Sequence, residues 1–462
     1  MDKILNPQFL IALVILLNIF LAFFSGSIKK WGRKVYNTIS LFAFLSPIFL
    51  HCIFTKTLEK SEFLFLGDVF KIDSTSLLMW VLLSTFFALS FLFLEKFEKK
   101  SLKPSVLHFV FTLALMMMVT QTFLVLFCIF EIALLTTYFL TIVRSKPSTL
   151  EIMSLSSIRI LGLLFLLGSV LMSYGYEQIA SLSFVKDNLA NLYGHDYLLS
   201  AASLLILVTS LQSTGTFRII KSEESIVSKL LMSILSVLFL LKVSSSGLFS
   251  ILNESSNLLQ WVLVLGFLYY AFESFKETVL IQKIKSWATG GLVFFLTSSL
   301  AYILDGEGDL TAPILTFTSF LLGLFALLFA QSYLVKFKQA ELNAGDLKGL
   351  YQICPYLAWV FAGSCALLFG LPVTLNALNL FSALKLTIQS GFYWVALWSF
   401  VGIFIFWASV VSFVADLFVE KPIRNRWLLW ESSEELLDLP KARTGVLFAL
   451  FFVLSAWIYF LS

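Results

Sequence analysis

Ionisable side chains within long apolar runs are the residues of this chain whose types could do chemistry. A charged group at the centre of a bilayer costs at least about 2.5–3.5 kcal/mol on insertion scales, so such a residue is a functional candidate. Few occur here, and the candidates for a proton path are Glu131, Arg159, Lys229 and Lys242. Carboxyl and amino groups can exchange protons, and a nearby cation keeps a carboxylate ionised. The chemistry that these residues suggest is therefore proton transfer inside a membrane.

The elements that must position these residues are transmembrane helices. The 462 residues are 59% hydrophobic and 13% charged, with a mean hydropathy of +0.92, far more apolar than an ordinary soluble domain. Apolar runs of about 17–25 residues, each able to cross a bilayer as a helix, recur along the chain. We predict an all-α integral membrane protein with about 14 transmembrane helices in a single polytopic domain, residues 1–462. The predicted spans lie near residues 8–27, 37–55, 75–94, 105–120, 121–143, 153–175, 198–214, 226–250, 259–280, 287–304, 311–335, 355–380, 389–418 and 445–461.

The positive charges predict the orientation of these spans. Lys and Arg concentrate in the odd-numbered loops, as in the run from Lys29 to Lys34, whereas one even-numbered loop carries Asp305, Glu307 and Asp309. By the positive-inside rule the odd-numbered loops are cytoplasmic. We therefore expect a multi-pass protein of the cell inner membrane with both termini outside. The connector 419–444 would be cytoplasmic, either an interfacial amphipathic helix or a solvated linker, and 445–461 would be the last span.

Cofactor ligation has no support in the sequence. The four Cys form no CxxC pair, and the three His are scattered, so neither a metal site nor an iron–sulfur cluster is predicted. No nicotinamide, flavin or quinone site is visible. We expect no cofactor on this chain, and any redox chemistry would belong to partner subunits.

Several stretches resemble a known family. A span with one central Glu, Glu131, is followed much later by four short motifs in a fixed order. These motifs cover residues 345–350, 355–358, 368–374 and 390–394. In this order and spacing they resemble the antiporter-like membrane subunits of proton-pumping NADH:quinone oxidoreductase, respiratory complex I. The N-type subunit is the most similar, over roughly residues 60–418.

The resemblance implies a fold of two inverted repeats, here residues 105–250 and 259–418, with discontinuous seventh and twelfth helices. Such broken helices suit ion transfer because freed backbone groups meet a polar axis at the bilayer centre. Gly215 would break the seventh helix, and Gly370 and Pro372 would break the twelfth. The alternative is that these are the Gly and Pro common in any membrane helix.

The resemblance also implies roles for the candidate residues. Glu131 matches the family's fifth-helix Glu, which is thought to modulate a neighbouring lysine, and Arg159 stands in loosely for a charge in the sixth helix. Lys229 and Lys242 flank the place of the eighth-helix lysine, and neither matches it. We predict that Glu131 is either protonated or paired near Arg159 or Lys229.

The departures from the family are equally informative. The seventh-helix lysine position is occupied by Val208 and Thr209, the tenth-helix polar site falls near Phe294, and the twelfth-helix lysine falls on Leu380. None of these side chains can take up and release a proton in a relay. We therefore predict that the chain does not carry a complete proton path by itself.

Four functions are compatible with the sequence. The first is a membrane-arm subunit that helps couple quinone reduction to proton translocation, with other membrane subunits as partners. The second is a degenerate, non-conducting scaffold of such an arm. The third is a subunit of a related cation/proton antiporter, hydrogenase or inorganic-carbon uptake complex. The fourth is a stand-alone transporter or lipid flippase, which would require a polar cavity lined by several charges.

Overall fold

The structure is a computed structural model of the chain. It describes residues 7–58, 63–65, 70–72, 74–96, 104–141, 149–174, 181–192, 196–213, 226–306, 309–338, 342–368, 370 and 375–419. The predicted break at Gly215, the residue Pro372, the connector from residue 420 and the span 445–461 lie outside the described residues.

The described chain is helical apart from one short hairpin. Its first part contains α1 (Pro7–Trp31), α2 (Arg33–Leu58), β1 (Phe63–Phe65), β2 (Phe70–Ile72), α3 (Ser74–Lys96), α4 (Pro104–Val119), α5 (Phe123–Thr141), α6 (Thr149–Tyr174), α7 (Leu182–Leu192), α8 (Asp196–Ser213), α9 (Ile226–Ser244) and a 3-10 helix (Leu248–Ser255). Then follow α10 (Ser256–Lys276), α11 (Leu280–Ser298), α12 (Leu300–Asp305), α13 (Thr311–Lys338), a 3-10 helix (Ala344–Leu347), α14 (Leu350–Ile353), α15 (Pro355–Leu368), α16 (Leu375–Gln389) and α17 (Tyr393–Leu417).

The helices form where the sequence is apolar on every side, which is the pattern of membrane-spanning segments. Five described helices contain windows long and apolar enough to cross a membrane: Thr75–Phe93, Ser154–Leu171, Asn257–Lys276, Thr311–Leu334 and Tyr393–Leu417. Shorter apolar helices, such as Pro104–Val119 and Phe123–Thr137, accompany them. The protein is thus a membrane-spanning helical protein, as the composition predicts.

The hairpin of β1 and β2 and the helix α7 were absent from the sequence prediction. The strands β1 and β2 pair in antiparallel fashion, with Phe63 opposite Ile72, so the chain is not purely α-helical. The helix α7 has 11 residues, about 16 Å in length, which is too short to cross a hydrocarbon core of about 30 Å. Its Lys186 and Asp187 interrupt the apolar pattern by which spans are recognised.

The helix α11 begins earlier than predicted. The predicted tenth span starts at residue 287, whereas α11 starts at Leu280. The backbone N–H of Leu280 donates to the carbonyl of Leu342, and the N–H of Ala344 donates to the carbonyl of Thr278. These two hydrogen bonds fix the start of the helix, so Lys283 lies in a helix rather than in a loop.

The chain divides into two compact units. Unit 1 comprises Met1–Asn257 and Leu300–Leu310, and unit 2 comprises Leu258–Ser299 and Thr311–Ser462. The boundary after Asn257 lies between the two predicted repeats, but Leu300–Leu310 of the second predicted repeat belongs to unit 1. The repeats and their inverted relation stay predictions.

Unit 2 has a core in which aromatic rings lie against glycines of α11. A Cβ atom added at Gly290 would lie 2.1 Å from the ring of Phe406, and one added at Gly291 would lie 2.2 Å from the ring of Phe320. Only hydrogen at these positions lets the rings reach the helix backbone. Of the residues in the apolar window of α13, 94% are buried, compared with 44% in the window of α17. The helix α13 is therefore the centre of unit 2.

The predicted twelfth span consists of two helices in the structure. The helix α15 ends at Leu368 and α16 begins at Leu375. Between them Gly370 has a φ of +54°, a left-handed conformation that cannot continue an α-helix and that favours glycine. The interruption lies where the sequence predicts the break; its position in the membrane and its role stay predictions.

Candidate functional site

A buried ion pair joins α5 and α6 of unit 1. The Nε of Arg159 donates to Oε1 of Glu131 at 2.8 Å, with Arg159 fully buried and the Glu131 side chain 13% exposed. Such a pair is stable only when the remaining donors and acceptors of both groups are also satisfied. The predicted pairing of Glu131 with Arg159 is thus confirmed, and the part of either residue in proton transfer stays a prediction.

The other donors of Arg159 reach the end of α8. Its Nη1 donates to Oγ of Ser213 at 2.6 Å and, over a longer 3.4 Å, to the carbonyl oxygen of Thr209. The Ser213 hydroxyl in turn donates to the same Thr209 carbonyl at 2.7 Å. The sequence resemblance predicts the family's seventh-helix lysine at Val208 and Thr209. The α6 arginine therefore brings a positive charge to the place where α8 itself has none.

A serine completes the hydrogen bonding of the carboxylate. The Ser156 hydroxyl donates to Oε2 of Glu131 at 2.7 Å and accepts from Nη2 of Arg159 at 3.2 Å. The ring of Phe130 lies 5.1 Å from the guanidinium carbon, within cation–π range. Both carboxylate oxygens and all three guanidinium nitrogens thus have partners.

The chemistry of this cluster is that of a fixed charge. An arginine guanidinium keeps its proton in proteins, so Arg159 cannot act as a relay group that gains and loses protons. Its Nε donates to Oε1 of Glu131 across 2.8 Å. The cluster can orient side chains and polarise hydrogen bonds, whereas a lysine at the same place could also exchange a proton.

The two lysine candidates lie on one helix of unit 1. Lys229 is partly buried near the start of α9, and Lys242 is buried in its last turn. The two residues are separated by 13 positions, about 20 Å along a helix. Phe239, which stacks on Phe130 of α5 at 4.1 Å, lies three residues before Lys242. Lys242 is therefore the candidate on the part of α9 that packs beside the ion pair.

Two positions at which the sequence resemblance predicts relay groups meet at one apolar cavity of unit 2. Phe294 of α11 and Leu380 of α16 both line a cavity between α11, α13, α15 and α16 that has room for about one water molecule. The other lining residues are Gly291, Phe295, Pro313, Thr316, Phe317, Phe320 and Leu368. The structure thus brings together two positions that are 86 residues apart in the sequence.

The cavity has little capacity to hold a proton or an ion. Among the described residues that line it, Thr316 has the one side-chain polar group, and its hydroxyl donates to the carbonyl of Ala312 at 2.8 Å. A water molecule needs two to four polar partners to be held in an interior. The site is therefore a dry contact between aromatic and aliphatic side chains.

The contacts that the motif at residues 345–350 makes were not predicted from the sequence. Lys348 forms an ion pair with Asp416 at 3.3 Å, and the N–H of Gly349 donates to the Asp416 carbonyl at 3.0 Å. Gly349 has a φ of +75°, which a residue with a Cβ rarely adopts. The motif thus attaches the end of α17 to the start of α14. Asp416 is the partner of both residues in this attachment.

Lys283 of α11 is another buried cation that the sequence prediction did not single out. Its Nζ donates to the carbonyl of Glu277 at 3.4 Å and lies 5.9 Å from the centre of a Trp287 ring. The prediction counted Lys283 among loop charges. The signal that could have identified it is its position one turn before Trp287 at the edge of an apolar run.

Comparison with solved structures identifies the fold. No protein-family profile and no curated protein match the sequence. A chain of the membrane-bound sulfane sulfur reductase MBS, an archaeal respiratory membrane complex, superimposes with a TM-score of 0.71 at 14% identity, over 98% of this chain and 96% of that one. A chain of respiratory complex I from Thermus thermophilus gives 0.66 at 16% identity, over 97% and 94%. A chain of the Mrp complex from Dietzia sp. DQ12-45-1b gives 0.62 at 16% identity, over 90% and 80%.

These similarities define the class of protein at the level of the fold. The chain has the fold of a membrane subunit of multisubunit membrane complexes. Among such subunits it has the antiporter-like fold, as the sequence motifs predicted. At 14–16% identity the comparison establishes the fold and leaves the activity open.

Proposed function

We propose that this chain is a membrane-arm subunit of a complex I-like respiratory assembly and that it is a scaffold without a complete proton path of its own. The observation that carries the proposal is the dry cavity of unit 2. Phe294 and Leu380, at two positions where the family has relay groups, line this cavity together. A proton cannot pass between side chains that neither titrate nor hold water.

The ion pair of unit 1 supports the same conclusion. A relay requires a group that exchanges its proton during each cycle, and the cation beside Glu131 is an arginine. The cluster has a clear structural use, because it joins α5, α6 and α8 through charge-assisted hydrogen bonds. In a scaffold, these contacts would hold the helices at the positions that neighbouring subunits require.

The proposal includes the finer architecture. It assigns about 14 spans, two inverted repeats and both termini on the outer side of the inner membrane. The partners are other membrane subunits, and the flavin and iron–sulfur chemistry belongs to subunits outside the membrane. Lys and Arg concentrate in every second loop along the chain, and this alternation supports the topology. One wrongly assigned span would move the positive charge to the opposite set of loops from that point on.

The alternatives differ in the partners that they require. A subunit of a cation/proton antiporter, hydrogenase or inorganic-carbon uptake complex would use the same fold in another assembly. A stand-alone transporter would need a polar cavity lined by several charges, and the cavity at Phe294 and Leu380 is apolar.

Purification from native membranes in a mild detergent, through a tag on this chain, tests the assignment. We expect membrane subunits together with subunits that carry flavin and iron–sulfur clusters, recognised by their absorption spectra and by mass spectrometry. Antiporter or hydrogenase subunits would move the chain to that assembly. Isolation as a homogeneous single chain with transport activity in vesicles would refute the proposal.

A further inference from the structure

A second buried polar group lies in the first helices of unit 1, away from the ion pair. His108 of α4 is fully buried, and its Nδ1 lies 2.9 Å from Oδ1 of Asn18 on α1. Its ring stacks on Phe44 of α2 with centroids 4.2 Å apart and an angle of 5° between the planes. An imidazole in this position has a fixed orientation, because one edge is bound and one face is covered.

The hydrogen bonds of Asn18 assign the tautomer of the histidine. The Asn18 amide nitrogen donates to the carbonyl of Val14 at 3.0 Å and to the carbonyl of Ala43 at 3.3 Å. Both donors are then used, so the amide cannot be flipped, and Oδ1 must accept the hydrogen bond from His108. The proton therefore resides on Nδ1. In the neutral ring this leaves Nε2 with a lone pair that can accept a hydrogen bond.

That lone pair has no donor within the described part of the protein. Nε2 of His108 is a buried atom without a hydrogen-bond partner there. Two nearby hydroxyls, of Ser40 on α2 and Ser90 on α3, share this property. They differ from Ser46 of α2, whose hydroxyl donates to the carbonyl of Ala43 at 2.8 Å. Serine hydroxyls in helices usually bond to their own backbone in this way.

Ring contacts place these groups at one level of the bundle. Phe91 of α3 lies 5.6 Å from the Phe44 ring and 6.4 Å from the His108 ring. Ser90 directly precedes Phe91 in the chain, and Ser40 is one helical turn before Phe44 on the same face. The two serines therefore lie on the stretches of α2 and α3 that pack around the His108 ring of α4.

We propose that His108, Ser40 and Ser90 form an internal water-binding site, in which a water molecule donates a hydrogen bond to Nε2 of His108. Water fits this set because it can donate to the imidazole while it accepts from the hydroxyls, and buried waters typically make about three such bonds. One imidazole nitrogen and two hydroxyls are a poor donor set for a transition metal. The site gives these helices a buried, uncharged hydrogen-bond acceptor that binds water, separate from the Glu131 and Arg159 cluster.

Solid-state NMR of the full chain in bilayers, in the assembly in which it purifies and with 15N-labelled histidine, tests the proposal. The chain has three histidines, so His51→Gln and His195→Gln identify the His108 signals. We expect a ring protonated on Nδ1 and unprotonated on Nε2, with magnetisation transfer from water protons to Nε2. A ring protonated on Nε2, or an Nε2 without contact to water, would overturn the proposal. This readout keeps His108, Ser40 and Ser90 as the native residues.

Two variants then test which groups bind the water. Ser40→Ala together with Ser90→Ala should reduce the water transfer to Nε2 several-fold while the Nδ1 signal keeps its position. The matched control is Ser46→Ala on the same helix, which should leave the transfer unchanged because its hydroxyl bonds to Ala43. Equal transfer in the double variant and the control would refute the assignment of the two serines.

Discussion

Removing the cation of the unit 1 ion pair gives the sharpest test of the structure. In Arg159→Met the side chain keeps much of its apolar length but loses every donor. Glu131 would lose the 2.8 Å partner of Oε1 and keep only the Ser156 hydroxyl on Oε2. Because the carboxylate is 13% exposed, water can replace little of the lost interaction.

The expected magnitude follows from this burial. Breaking a buried pair by removing one partner costs about 3–5 kcal/mol, since an uncompensated charge stays inside. The double variant Arg159→Met with Glu131→Gln removes both charges, and the amide oxygen of the introduced glutamine can still accept from Ser156. We expect the free energy of unfolding of this double variant to return to within about 1 kcal/mol of the native value, because neutral replacement of a buried pair is often without cost.

The measurement is equilibrium unfolding in mixed detergent micelles, arranged as a double-mutant cycle. Lys348→Met is a matched control, because Lys348 and Asp416 form an ion pair of 3.3 Å with side chains 41% and 35% exposed. An exposed pair contributes about 0–1 kcal/mol, so this variant should lose little. The reasoning is wrong if Arg159→Met costs no more than Lys348→Met, or if the double variant is no more stable than the single one.

Three further predictions follow from the fold and the proposed function. Glu131→Gln should leave the proton-to-electron ratio of the assembled complex unchanged, measured in vesicles against quinone reduction; a clear fall with assembly intact would show that the path runs through Glu131. A cysteine introduced at Lys30 should not be labelled by a membrane-impermeant thiol reagent applied to intact cells. Labelling from outside would show that the predicted topology is wrong. Gly290→Ala should lower the free energy of unfolding by about 1–3 kcal/mol, because its Cβ would lie 2.1 Å from the Phe406 ring. Gly168→Ala, which meets nothing within 4 Å, is the control, and equal losses would contradict the packing.

The fold was predictable to the extent that it depends on apolar runs. A run of about 20 apolar residues forms an α-helix in a membrane, because every backbone group must be hydrogen-bonded within the segment. The helix α7 and the hairpin of β1 and β2 have no such constraint. They are short, and their form depends on contacts such as the N–H of Leu182 donating to the carbonyl of Gln121 at 2.7 Å. Such contacts between distant residues leave no pattern in the sequence.

The candidate site was predictable in part for a related reason. A carboxylate among apolar helices needs a cation, and the sequence offers few, so Arg159 and Lys229 were the partners to expect for Glu131. The sequence could not show that the guanidinium also reaches Ser213 at the end of α8. That contact depends on how α6 and α8 are rotated against each other. The meeting of Phe294 and Leu380 likewise depends on packing between helices far apart in the chain.

The two units differ at the places where the sequence resemblance predicts relay groups, and the cost of buried charge accounts for both arrangements. In unit 1 the carboxylate of Glu131 is retained, and a retained charge requires a cation within a few ångströms. Arg159 provides one from a neighbouring helix, at the place where α8 has Thr209. Around the cavity of unit 2 none of the described lining residues is charged, so a lysine at Leu380 would find no counterion among them. An apolar side chain such as Leu380 is then less costly there than a charged one.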